Sequence, residues 1–185
     1  MLSDILFAIW FLLPAAIANM VPILSARIPL IKKLDAPIDA GKSFRGHRIF
    51  GAHKTWRGIV TGIIASTLVL WIQQLLAANY EWTNIFTGAI DYSALPVLIL
   101  GPVFAIGALG GDAIESFFKR SRGIKSGKAW VPFDQLDYII GSVLVSLFFV
   151  ILTPAQYVWI FVVWFLMHLI ASYIGFRLGL KKEPI

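Results

Sequence analysis

Four carboxylates stand at two matched spacings between Gly110 and Gly141: Asp112 with Glu115, and Asp134 with Asp137. A separation of three residues places both members of a pair on one helix face. The first pair closes one apolar run and the second opens the next. An antiparallel helix pair would therefore bring all four to a common depth. Carboxylates gathered this way repel one another and resist ionising unless a cation compensates them. An all-oxygen donor set suits a hard divalent ion, most naturally Mg²⁺. The same stretch carries Lys119, Arg120, Arg122, Lys125 and Lys128. A second basic group, Lys54, Thr55 and Arg57 in "GAHKTWRGIV", directly precedes another apolar run. Helix N-termini attract phosphate through free N–H groups and the dipole, and neighbouring Lys and Arg add charge-assisted bonds. Carboxylates for a metal and cations for phosphates together suit phosphoryl chemistry, with a metal bridging phosphate oxygens and neutralising developing charge.

Each group also has a plainer reading. Glu115 is placed to pair with Lys119 at i, i+4, and the other acids could cap helix ends. The Lys54–Arg57 group could simply anchor a helix at a membrane surface. Against the plain reading of the acids stands their cost: a carboxylate at the centre of a spanning helix costs about 2.5–3.5 kcal/mol on insertion scales, less near the interface.

The elements that must position these residues are membrane spans. The 185 residues are 58% hydrophobic and 14% charged, with mean hydropathy +0.80, and the apolar residues gather in blocks. Five blocks approach the roughly 20 residues that cross a hydrocarbon core: Ile5–Leu24, Ile59–Ala78, Ala94–Gly110, Tyr138–Leu152 and Tyr157–Phe176. The fourth is short and must tilt or thin the bilayer. We expect an all-α integral membrane protein, one domain over residues 1–185, with five transmembrane helices and two cytoplasmic loops forming the active site. All 16 Lys and Arg fall in segments 25–57 and 112–137 and at the C-terminal end. The positive-inside rule makes those segments cytoplasmic and the N-terminus external, in a multi-pass protein of the cell membrane. The net charge of +6 is thus first a topology signal.

Within the spans, Pro14, Asn19 and Pro22 either break or kink the first helix near its inner half. Segment 25–57 reads as loop, punctuated by Gly41, Gly46, Gly51 and Gly58. The outer connection offers Tyr80, Trp82 and Tyr92 as interfacial aromatics. "AIA" at Ala16–Ala18 resembles a cleavage site, but no cationic region precedes it, so we expect the first span to be retained. With no Cys, thiolate nucleophiles, thiolate metal sites and disulfides are excluded. No Ser–His–Asp set suits nucleophilic catalysis, and His168 reads as a packing residue in the last span. Nucleic acid is not an expected partner, because topology accounts for the basic residues. A transporter or scaffold using its acids as a gate is the rival class, although spans two, four and five are nearly free of charge in their middles.

The blocks "GDAIESFFKRSRGIKSG", "PFDQLDYIIG" and "KTWRG" resemble those of the CTP-dependent phospholipid cytidylyltransferases, most closely the CDP-archaeol synthase family, and are similar to those of bacterial phosphatidate cytidylyltransferases. The resemblance implies an enzyme with two partners at the bilayer, CTP and an isoprenoid ether lipid phosphate (unsaturated archaetidic acid), with Mg²⁺ required. It implies that Asp112, Glu115, Asp134 and Asp137 hold the metal or orient its waters. Asp112, Asp134, Asp137 and Lys119 would be catalytic. Lys54, Thr55, Arg57, Lys119 and Arg120 would grip phosphates, with Asn19 near the nucleotide or headgroup. The chain departs from the bacterial diacyl enzymes, which have Asp after "GIK" and a His-Gly-Gly run. Ser126 and "WVPFDQLD" stand here instead, which favours an archaeol-type lipid over phosphatidic acid.

Overall fold

The computed structural model describes residues 1–124 and 128–179. Backbone N–H and C=O groups have no water to bond inside a bilayer, so apolar runs must satisfy them internally as helices. Four helices are long and apolar enough to cross a membrane: α1 (Leu2–Ser25), α2 (Trp56–Asn79), α4 (Val97–Ser121) and α6 (Pro154–Arg177). Between them lie a short α3 (Asn84–Thr87) and α5 (Phe133–Ser146).

Several boundaries differ from expectation. Of the two readings of the first span, the break is ruled out: α1 runs on through Pro14 and Pro22, with the Ser25 hydroxyl donating to the Pro22 carbonyl at 3.1 Å. The α4 helix continues past Gly110 to Ser121, so Asp112 and Glu115 do ride one helix. The α5 helix begins at Phe133, five residues before the expected span, and ends at Ser146. Beyond it the amides of Phe149 and Val150 both turn back to the Ser146 carbonyl, so the apolar run through Leu152 is a turn. Thr153 and Gln156 then form a capping box that starts α6, with Pro154 in its first turn. Gly58 lies inside α2, where a Cβ would stand 3.2 Å from Pro22; it is a packing glycine rather than loop punctuation. Tyr92 is buried edge-on against Trp10, while Tyr80 and Trp82 remain exposed as anchors.

Lipid is as apolar as leucine, so close packing and interhelical hydrogen bonds must hold such helices together, at about 0.6 kcal/mol per bond. Gln73 of α2 donates to the Trp10 carbonyl of α1 at 2.7 Å, and the Trp164 indole of α6 donates to the Ala8 carbonyl at 2.8 Å. The closest approach is between α4 and α5. A Cβ at Gly141 would lie 2.1 Å from the Gly107 carbonyl oxygen, and one at Gly111 would lie 2.2 Å from that of Asp137. Only glycine lets these backbones meet.

The segment between α1 and α2 is more ordered than a plain loop. A two-residue hairpin pairs β1 (Ser43–Phe44) with β2 (His47–Arg48) across Arg45 and Gly46, both at positive φ. Two consecutive positive φ angles give the turn whose twist matches an antiparallel ribbon.

A carboxylate trio and its cations on one cavity wall

One cavity of about 1060 Å³ gathers every candidate residue named from the sequence. Its walls come from the C-terminal half of α1, the N-terminal turn of α2, the C-terminal half of α4, the first turns of α5 and the C-terminal part of α6. Because successive helices alternate in direction, these parts all lie at one end of the bundle. Asn19 joins the wall from α1, and Lys54, Thr55 and Arg57 join it from the entrance to α2. Asp112, Glu115, Lys119 and Arg120 join it from α4, and Asp134 and Asp137 from α5.

The acids do not all converge equally. One carboxylate oxygen from each of Asp112, Glu115 and Asp137 lies within 4.8 Å of the others. Asp134 stands beside this trio, paired with Lys119 and accepting the Trp130 amide at 2.7 Å. The glycine contact explains the selection: with Gly111 against the Asp137 carbonyl, the backbones of α4 and α5 touch one residue from Asp112 and at Asp137 itself. Lys54 pairs with Asp112 across 58 residues of chain. Lys119 is buried and also lies 3.7 Å from Glu115.

The donor set fits a hard divalent cation. It consists only of oxygens, drawn from two helices, and Glu115 Oε1 is buried with no hydrogen-bond partner among the described residues. Lys119 Nζ pairs with this oxygen only at 3.7 Å, beyond hydrogen-bond reach, so a buried acceptor remains open to a ligand or an ion. The Nε atoms of Arg57 and Arg120 are likewise buried and unpartnered among the described residues, which leaves donors at the wall for anionic groups.

At the N-terminus of α2, Thr55 is the cap, its hydroxyl accepting the Gly58 amide at 3.2 Å, and the Trp56 amide bonds to the Ala36 carbonyl at 3.0 Å. Protein groups therefore take two amides that the sequence offered to phosphate, and the cations left at this entrance are Lys54 and Arg57. Arg57 is also tied to Asp35 at 2.9 Å.

Sequence reasoning missed Asp35, Asp39 and Gln135. Asp39 is buried and accepts from Gly41, Phe50, Gly51 and the Arg48 guanidinium. Burial opposes its charge, yet Arg48 and the three amides hold the carboxyl down at about 2, from 3.8. The Asp-Ala-Gly order was the available signal, since Asp two residues before Gly favours a side-chain-closed turn. Gln135 is buried on the cavity wall between the two α5 acids. His168 also lies on the wall, half-buried, its ring 5.9 Å from that of Tyr138. Ser126 and Lys125 lie outside the described residues.

Fold and site thus define a membrane-embedded enzyme class: apolar helices surrounding a cavity lined with carboxylates, lysines and arginines. The model of the CarS-like CDP-archaeol synthase family matches residues 1–185. The CDP-archaeol synthase of Thermococcus onnurineus is 33% identical over 184 residues, covering 99% of this chain and 98% of that protein. Its counterpart in Methanocaldococcus jannaschii is 35% identical over 187 residues, covering 98% of each. A solved intramembrane enzyme for archaeal membrane lipids biosynthesis superposes with a TM-score of 0.71 at 30% identity, covering 89% of this chain and 92% of that one. The chain belongs to the CDP-archaeol synthase family, and is a transferase of phospholipid biosynthesis.

Proposed function

We propose that the protein transfers CMP from CTP to unsaturated archaetidic acid, 2,3-bis-O-geranylgeranyl-glycerol 1-phosphate, giving CDP-archaeol and pyrophosphate. A phosphate oxygen of the lipid attacks the α-phosphorus of CTP. The bond from that phosphorus to the bridging oxygen breaks, and pyrophosphate leaves with the electron pair. The observation that carries this reading is the carboxylate trio facing Lys54, Lys119, Arg57 and Arg120 on one cavity wall. Asp112, Glu115 and Asp137 would hold Mg²⁺, with Asp134 keeping Lys119 in place beside them. Bound there, the ion would supply charge neutralisation at the phosphate oxygens and a template for in-line displacement. Lys54, Lys119, Arg57 and Arg120 grip the triphosphate and the lipid phosphate, while Thr55 fixes the start of α2 and thereby Lys54 and Arg57. Asn19, across the cavity, contacts nucleotide or headgroup.

In this reading α5 is a fifth, short span, the N-terminus is external and the cavity opens to the cytoplasm. The basic segments support that orientation, because the described ones flank the cavity end of the bundle. The same reading, with Val97 taken as the outer edge of the hydrocarbon core, sinks the site into the membrane. Counted from Val97 at 1.5 Å per residue, Asp112 lies about 22 Å along α4, inside a hydrocarbon core of about 30 Å. Water and CTP reach it through the cavity, and the lipid phosphate has only a short distance to descend.

The test is a purified, folded preparation supplied with CTP, Mg²⁺ and each lipid phosphate in turn, following pyrophosphate and the liponucleotide. Turnover should be greatest with the unsaturated ether lipid. Equal or better turnover with phosphatidic acid would reassign the lipid, and none with either would leave a transporter or scaffold as the better reading.

A further inference from the structure

Lys54 reaches Asp112 from a segment with little regular structure, so something must fix where it stands. The backbone from Asp35 to Asp39 runs alongside Lys54 to Arg57. The Ile38 amide donates to the Lys54 carbonyl at 2.9 Å, Pro37 bridges Thr55, and the Trp56 amide donates to the Ala36 carbonyl at 3.0 Å. Asp35 pairs with Arg57 at the end of this strap. At its other end the chain leaves as a loop containing the hairpin and returns at Phe50 and Gly51. There the Asp39 carboxylate closes the neck. One oxygen takes the Gly41 amide at 3.0 Å together with Arg48, and the other takes the amides of Phe50 and Gly51 at 3.2 and 3.1 Å. Its side chain is fully buried. The residues it gathers are cavity wall: Ile38, Phe50, Gly51, Ala52, His53 and Lys54 all line the site.

We propose that Asp39 is a positioning residue for the reaction: by closing the neck of the 40–51 loop it sets where Lys54 meets Asp112. It touches neither metal nor substrate, and acts through the strap. The proposal rests on the reading of Lys54 as a phosphate-gripping group. A carboxylate suits the task because all four neighbours are donors. An asparagine can satisfy one oxygen's set and presents an N–H₂ group to the other, so Asp39→Asn keeps the shape and loses half of the closure.

The test uses the full-length protein, whose lack of cysteine allows spin labels at two introduced sites, Ala52→Cys and Phe118→Cys, both exposed. With Asp39 present the label-to-label distance distribution should be narrow, and Asp39→Asn should broaden or shift it. In kinetics, Asp39→Asn should lower kcat/KM by about 10–100-fold through kcat as well as KM, because misplacement by about 1 Å is costly in the transition state. In a Lys54→Met background the same change should cost less than about two-fold, since residues acting as one unit are not additive. A loop that is merely structural would give the same factor in both backgrounds. The milder Arg48→Gln, which removes one of the four partners, should shift the labels in the same direction, and covers the case in which Asp39→Asn does not fold. An unchanged distance distribution in both variants overturns the proposal, as does full additivity with Lys54→Met. Should Lys54→Met turn over normally, the phosphate role of Lys54 fails on its own, and the label distance still decides whether Asp39 places the loop.

Discussion

Asp137 and Asp134 share a helix, a spacing and a charge, yet only Asp137 joins the trio with Asp112 and Glu115. Asp134, in the first turn of α5, is engaged by Lys119 and the Trp130 amide. Removing the Asp137 charge should therefore cost the proposed metal site one of its three carboxylates. We expect Asp137→Asn to lower kcat by about two orders of magnitude or more, the scale of losing one electrostatic stabiliser of the transition state. Membrane insertion and thermal stability should be retained. A variant with near-normal turnover would remove Asp137 from the reacting set. From sequence, the i, i+3 rule found all four acids but could not rank them, because the ranking depends on which helix face meets α4. Asp39 was only partly legible for a different reason: Asp-Ala-Gly marks its local turn, but the Arg48 guanidinium nine residues on and the amides eleven and twelve residues on leave no local pattern.

At the scale of elements, the contact between α4 and α5 places the site. The four longest helices were legible in the length of their apolar runs. The limits of α5 were not, because Tyr138–Leu152 carries no charged residue and only the tertiary turn at Ser146 divides helix from connection. The glycines that seat α5 on α4 were equally hidden, since Gly110 and Gly111 are adjacent and look alike in the sequence. The structure separates them. A Cβ at Gly111 would collide with the Asp137 carbonyl, whereas one at Gly110 meets nothing within 4 Å. Gly111→Ala should destabilise the fold by about 1–3 kcal/mol or more, as overpacking does, and should lower activity by moving Asp137 away from Asp112. Gly110→Ala should leave thermal stability unchanged or slightly raised, because alanine is the better helix former. Equal melting behaviour in the two variants would contradict the close approach.

For the whole molecule, the charge asymmetry and the cavity coincide. The basic segment between α1 and α2, the C-terminal end of α4 and Arg177 of α6 all belong to the end where the cavity opens, and the opposite end carries α3 and Asp91. Orientation can be read in intact cells with single cysteines in this cysteine-free chain. A thiol at Lys42 should resist a membrane-impermeant reagent, and one at Glu81 should react. The reverse pattern would put the active site outside and overturn the cytoplasmic assignment. The gathering of the basic segments at one end of the bundle was legible from sequence, because charge bias survives without knowledge of tertiary contacts. What composition could not show is that Asp112 and Glu115 ride within one continuous helix against α5, with the turns of the 35–57 segment folded over the acids as wall.

The brevity of α5 has a consequence for the lipid around it. Fourteen residues extend only about 21 Å, some 9 Å less than a bilayer core of about 30 Å. The connection that follows leaves Phe148 and Ile151 almost wholly exposed, carrying apolar side chains on through part of that shortfall. With α5 as the proposed fifth span, a local thinning of the bilayer would meet the rest. It would form beside the helix that carries Asp134 and Asp137, bringing the headgroup plane nearer to the reacting phosphates. Membrane thickness is then a property that this active site shares in setting, and to which it should respond.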